Sequence, residues 1–135
     1  RFIKEKSRWV AKRLHEMQKP PSPKISYFTE DNLKKYIESE IKKYTKLMGL
    51  SPAGLRFTHA HSYWGTCAPS GKLSFNLTLR FTPPPAVTYV VIHELAHLRY
   101  RGHGQCFWEL VTKYCPNTKE MCQLLHSVKY IYGQI

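Results

Sequence analysis

The stretch Val90-Val91-Ile92-His93-Glu94-Leu95-Ala96-His97 decides how this chain folds. It reads H-E-x-x-H inside an apolar run. On a helix, residues four apart lie almost above one another, so His93 and His97 project to the same side. Two neutral imidazoles at that spacing can hold one Zn²⁺ ion at about 2.0–2.1 Å each. Glu94 sits roughly a quarter-turn round, within reach of a metal-bound water without being a ligand. Val87, Val90, Val91, Ile92, Leu95, Ala96 and Leu98 make the helix apolar around most of its circumference. It therefore belongs in the core, where ionisable residues need partners. The competing reading is an ordinary helix with two satisfied core histidines, since so short a pattern also arises by chance.

Downstream, His103 follows six residues after His97 with Gly102 and Gly104 on either side. The helix should end near Tyr100, and the glycines should let the backbone turn and bring His103 back as a third ligand. The spacing has the length of the metzincin motif, but Tyr100 stands where that motif has glycine. Glu109 and Glu120 are rival third ligands of the glutamate-ligand zincin kind. His103 is preferred because it is near and flanked for a turn. Residues 105–114 read as a short helix with Phe107, Trp108, Leu110 and Val111 apolar, stopped by Pro116. Asn117 and Glu120 form a capping box for a last helix, whose packing stripe is Met121, Leu124, Leu125 and Val128, extended by Ile131.

Upstream, Pro83-Pro84-Pro85 opens the H-E-x-x-H helix. Residues 72–80 alternate Leu73, Phe75, Leu77 and Leu79 with Lys72, Ser74, Asn76, Thr78 and Arg80, which predicts a half-buried strand. Residues 55–61 alternate in part and give a second. The pattern implies one buried and one polar sheet face, and the polar face or the free edge could line a substrate cleft. His59 and His61 share a strand face; a second metal site is conceivable, but surface histidines are preferred. Cys67 has no base placed beside it, so an idle thiol is preferred to a nucleophile. Thr29 caps a long helix with Glu30 and Asp31 in its first turn. Its buried stripe is Leu33, Ile37, Ile41, Tyr44 and Met48, Gly49 fits the C′ position, and five lysines form a wet outer face. Residues 2–18 predict an amphipathic helix packed on the domain, and 19–26 a proline-rich linker.

The 135 residues suit one domain, 1–135, and 42% hydrophobic content argues against disorder. No apolar run approaches the roughly 20 residues of a membrane span. No signal peptide is visible, and the four cysteines form no C-x-x-C pair, so reduced thiols and a cytoplasmic location are expected. The net charge of +12, from 21 Lys+Arg against 9 Asp+Glu, favours anionic partners such as nucleotides or nucleic acid. Yet no zinc-finger or RRM signature is present. The start at Arg1 leads us to expect a fragment of a longer protein.

Several separated motifs carry a resemblance. They are Trp64-Gly65-Thr66-Cys67, Asn76-Leu77, the run from Tyr89 to Leu98, His103, Phe107-Trp108 and Pro116. In order and spacing they resemble the YgjP-like metallopeptidase family, small zincins of minigluzincin-like type, over about residues 56–126. The resemblance implies an α+β zincin-like domain: a small antiparallel sheet against long helices, the H-E-x-x-H helix in the core, and histidine ligands carried onto His93, His97 and His103. It also implies a rival activity, a nucleoside triphosphate (UTP-type) pyrophosphatase. The family usually reads Ser-Arg-Trp-Gly-Ser-Cys; Ser62-Tyr63-Trp64-Gly65-Thr66-Cys67 lacks the arginine, so if that arginine handles substrate, a different specificity is expected here. The family's strands before the first helix are missing too, which strengthens the expectation of a fragment.

The expected function is therefore zinc-dependent hydrolysis of a peptide or protein. One zinc ion on three histidines leaves a position for water, whose pKa falls from about 16 towards roughly 7. Glu94 takes the proton as general base. Asn76, Tyr100 and His61 are candidate donors to the oxyanion. The non-enzymatic rival is a metal-stabilised nucleic-acid-binding module.

Overall fold

The computed structural model describes residues 26–59 and 63–132, the last four by their backbone. The expected helix over 2–18, nearly all of the 19–26 linker, and His61 lie outside the described residues.

Helix α1 runs Glu30–Met48. Thr29 Oγ1 accepts from the Asn32 N–H at 3.1 Å, which satisfies one of the free donors of the first turn. Gly49 closes the helix in the left-handed region at φ 69°, its N–H bonded to the Thr45 carbonyl. Leu33, Ile37 and Ile41 face the core, as their spacing requires.

Three short strands follow: β1 Gly54–Thr58, β2 Gly65–Cys67 and β3 Lys72–Asn76, in the sheet order β1-β3-β2. A tight turn with Gly71 at φ 92° joins β2 to β3, so this pair is antiparallel, with Thr66 opposite Ser74. β1 runs parallel to β3, with Phe57 opposite Phe75. The sheet is thus mixed rather than antiparallel throughout, because the chain reverses once between β1 and β2 and again between β2 and β3.

The expected strand over 72–80 also stops early. The Asn76 side chain accepts from the Thr78 N–H at 2.9 Å and from the Thr78 hydroxyl, and so caps a 3₁₀ turn over Leu77–Phe81. Leu77 and Leu79 stay buried in that turn, so their period-two spacing marks burial rather than strand.

Helix α2 spans Pro84–Ala96, α3 Gln105–Tyr114 and α4 Thr118–Tyr132. α2 is the central element: it packs against α1, α3, α4 and β2. Nine of its residues are buried, so the helix is held by packing on nearly every side. Towards α1, Thr88 donates to Glu40 Oε1 at 2.7 Å, leaving the Tyr36 hydroxyl to donate to Thr88 at 2.6 Å. α4 contributes Met121, Leu124, Leu125 and Val128 to the same core. No helix among the described residues is long and apolar enough to cross a membrane.

Candidate metal centre

His93 lies in the last turn of α2, and His97 is its C-cap residue. Beyond it the chain tightens, with Leu98 N–H bonded to the Leu95 carbonyl and Arg99 N–H to that of Ala96. This carries residues 98–103 back over the helix end. Gly102 and Gly104 take no part through positive φ, and a Cβ on either would meet nothing within 4 Å. The expectation that glycine freedom makes this bend is therefore corrected. What seats His103 is its ring packing, since it stacks on Trp108 at 5.7 Å between centroids and meets Phe107 edge-on at 5.1 Å.

The three imidazoles converge. His97 Nε2 lies 3.2 Å from His103 Nε2, which lies 3.4 Å from His93 Nε2. Two ligand nitrogens at tetrahedral zinc distances stand about 3.3 Å apart, so both separations fit a common ion. His93, His97 and His103 are the one group of three among the described residues whose donor atoms could hold a metal. The rival third ligands are not in it. Glu109 accepts from Gln105 Nε2 at 3.0 Å on the exposed face of α3, and Glu120 is buried on α4.

Tautomers follow from partners. The Tyr100 carbonyl can only accept, so the 2.9 Å contact from His97 Nδ1 puts the proton on Nδ1 and leaves the Nε2 lone pair to the centre. His93 Nδ1 faces the Tyr89 hydroxyl at 3.0 Å, and that hydroxyl in turn faces Cys122 Sγ at 3.0 Å. Burial holds both rings neutral: the His93 pKa falls to about 3, helped by the neighbouring His97 and His103, and that of His97 is lowered too. Neutral imidazoles are the state that ligates. Phe107 stacks on His97 at 4.4 Å and meets His93 edge-on at 5.0 Å, so α3 walls the ligand set with aromatic faces.

Glu94 is 6% exposed, and its backbone carbonyl accepts from the His97 N–H at 3.2 Å. Burial pushes its carboxyl up to about 8, against a smaller opposing pull from Arg101. Gly65 allows β2 to lie on it: a Cβ there would stand 3.2 Å from Glu94 Cγ and 3.1 Å from Val90 Cγ1. Beside the triad opens a cavity of about 340 Å³, lined by Val90, His93 and Glu94 of α2, Cys122, Leu125 and His126 of α4, and the segment Tyr63-Trp64-Gly65 with Tyr89.

The other candidate residues have different employment. Asn76 is buried, donates to the Tyr63 carbonyl at 3.1 Å and caps the 3₁₀ turn, so it is a brace for the cavity wall and does not line it. The Tyr100 hydroxyl accepts from Arg99 Nε at 3.2 Å. His59 pairs with Glu30 at 3.5 Å, which fits a surface histidine. Cys67 has its thiol pKa raised by burial, although Arg101 donates to its sulfur at 3.3 Å, so it is not an activated nucleophile. Arg101 also bonds the carbonyls of Cys67, at 2.8 Å, and His97, at 3.3 Å. It ties β2 to the end of α2. Sequence reading missed that tie, along with Tyr89, Leu125 and His126; the i, i+3, i+4 recurrence of Cys122, Leu125 and His126 was a signal that two helix faces share a wall.

The family model of the YgjP-like metallopeptidase domain matches residues 21–128. The chain belongs to the YgjP-like family. Membership places this YgjP-like chain among the metallopeptidases, and its three-histidine cluster is one that could bind their metal. The metallopeptidase zymogen abylysin of Pyrococcus abyssi has a similar fold, with a TM-score of 0.58 and 22% identity over 63% of this chain and 87% of that one. That likeness shows the zincin-like α+β fold. No curated protein matches the chain significantly.

Proposed function

We propose that this YgjP-like domain is a zinc peptidase in which His93, His97 and His103 hold one ion and Glu94 is the general base. The observation that carries the reading is the convergence of three Nε2 atoms at 3.2 and 3.4 Å, with Nδ1 of His97 and His93 occupied by outer partners. Zinc held there by His93, His97 and His103 would supply Lewis-acid polarisation of the scissile carbonyl and a lowered pKa for the attacking water. Glu94 accepts the proton of that water and delivers it to the leaving amine. Its dry surroundings raise its proton affinity in the free chain, and a bound cation nearby would lower it towards that of a working base. The aromatic faces of Phe107 and Trp108 keep the ligand rings from turning away.

The pyrophosphatase and nucleic-acid readings gain no support from this site. A phosphoanhydride needs cationic clamps, and no Lys or Arg lines the cavity among the described residues. Elemental analysis of the purified chain tests the metal directly: one zinc per chain is expected, lost in His93→Ala and His97→Ala. A chain that takes up no stoichiometric zinc would overturn the reading. An unfolded-protein substrate and a panel of nucleoside triphosphates, offered to the zinc-loaded chain, separate the two hydrolase activities.

A further inference from the structure

The cavity beside the triad has a chemistry of its own. α2 and α4 each face it with an i, i+3, i+4 set, so both walls are rigid helix surface rather than loop. Val90 and Leu125, each at most 4% exposed, form its apolar walls, and Trp64 closes a third side. At the rim Tyr63 is 43% exposed, an aromatic ring left in water at the entrance. The only carboxylate in the lining is Glu94, and no Lys or Arg lines it among the described residues, although the chain carries a net +12. A charged group placed between Val90, Leu125 and Trp64 would lose its water and find no opposite charge other than the residue proposed as the base. An apolar side chain would lose nothing and gain the burial.

We propose that this cavity is the specificity pocket of the peptidase, and that it takes a large uncharged side chain, aromatic or branched aliphatic, from the residue next to the bond that is cut. The inference rests on the peptidase reading, because the pocket shares His93 and Glu94 with the metal centre. Leu125 sets its depth. It projects from α4, apart from the ligand helix, so its size changes the pocket without altering a residue of the triad. His126 is exposed at the mouth and meets the peptide outside the pocket.

The test uses the whole zinc-loaded chain and a peptide series that differs at one position: Phe, Leu, Ala, Glu or Lys. The expected kcat/KM order puts Phe and Leu at least about tenfold above Ala, and Glu and Lys lowest, in line with the roughly 10–200-fold that apolar pocket contacts supply. Leu125→Trp should lower the Phe-to-Ala ratio at least about tenfold, and Leu125→Ala should raise the Phe-to-Leu ratio; ratios are insensitive to how much of a variant folds. Separately, N-acetyl-phenylalaninamide should shift the Val90 and Leu125 methyl resonances of the metal-free chain, and N-acetyl-glutamate amide should not. Peptide cleavage without side-chain preference, or ratios unmoved in both Leu125 variants, overturns the pocket and leaves the peptidase standing. Methyl shifts with cleavage of nucleoside triphosphates and of no peptide overturn the peptidase reading and this inference with it. Absence of methyl shifts, with no preference among cleaved peptides, removes the pocket alone.

Discussion

The Tyr89 hydroxyl stands 3.0 Å from His93 Nδ1, one helical turn away on α2, and its ring packs against the imidazole edge-on at 5.6 Å. With Nε2 given to a metal, Nδ1 would carry the proton and donate to the tyrosine oxygen. The hydroxyl hydrogen is then directed at Cys122 Sγ. An outer partner of this kind orients the ligand and raises its basicity. Tyr89→Phe is expected to weaken zinc binding by roughly 10–100-fold, read by competition with a chromophoric chelator. An affinity equal to the parent's would show that Phe107 and Trp108 suffice to hold the ring.

Glu94→Gln keeps shape and removes the proposed base. The variant should retain one zinc per chain and lose about 10²–10⁴-fold in kcat, with little change in KM. Parallel metal analysis and steady-state kinetics on one preparation decide it; undiminished turnover assigns the proton transfer to another group.

The metal-free chain should show a stability maximum near pH 6.5. His93, with its pKa lowered to about 3, and His97, also lowered, take up protons on unfolding, so they cost stability as pH falls below the ordinary histidine value. Glu94 has the opposite sign. Its folded pKa of about 8 lies above the unfolded 4.5, so the stability it contributes is present below pH 4.5 and is lost as pH rises to 8. Between 4.5 and 6.5 Glu94 and His93 offset each other and His97 leaves a slight rise. Thermal melts across pH 3–9 should therefore fall above pH 6.5 in the parent, and stay level there in Glu94→Gln. A fall of equal size in both would locate the titrating group elsewhere.

Gly65→Ala places a methyl 3.1 Å from Val90 Cγ1 and 3.2 Å from both Glu94 Cγ and the Ser74 carbonyl oxygen. The backbone oxygen cannot yield without shifting β3. Overpacking of this kind costs about 1–3 kcal/mol. Urea denaturation should show that loss, together with reduced activity from a displaced Glu94. A stability within experimental error of the parent would mean that β2 moves freely against α2.

What could be read from the chain directly were features encoded over one or two helical turns. Thr29 and Gly49 bound α1 because capping is a local hydrogen-bond problem, and Leu33, Ile37 and Ile41 face inward because their spacing leaves no choice. His93 and His97 share a side for the same reason, and Pro83 to Pro85 mark where their helix starts. Local pattern failed where burial has no period. Leu77 and Leu79 look like strand yet sit in a 3₁₀ turn that Asn76 caps. The sense of β1 against β3 depends on how often the chain reverses, which strand composition does not record.

The site divides along the same line. The sequence by itself determined the histidine pair, the glutamate beside it and the aromatic residues after it, since these lie within sixteen residues of one another from His93 to Trp108. Only the tertiary structure decided that His103 closes the triad by stacking on Trp108 rather than through its flanking glycines. It alone brought Trp64, Val90 and Leu125 around one cavity. Trp64 directly precedes β2, while Val90 and Leu125 sit on two helices distant from it in sequence, and a shared wall between distant segments exists only once the core between them has packed.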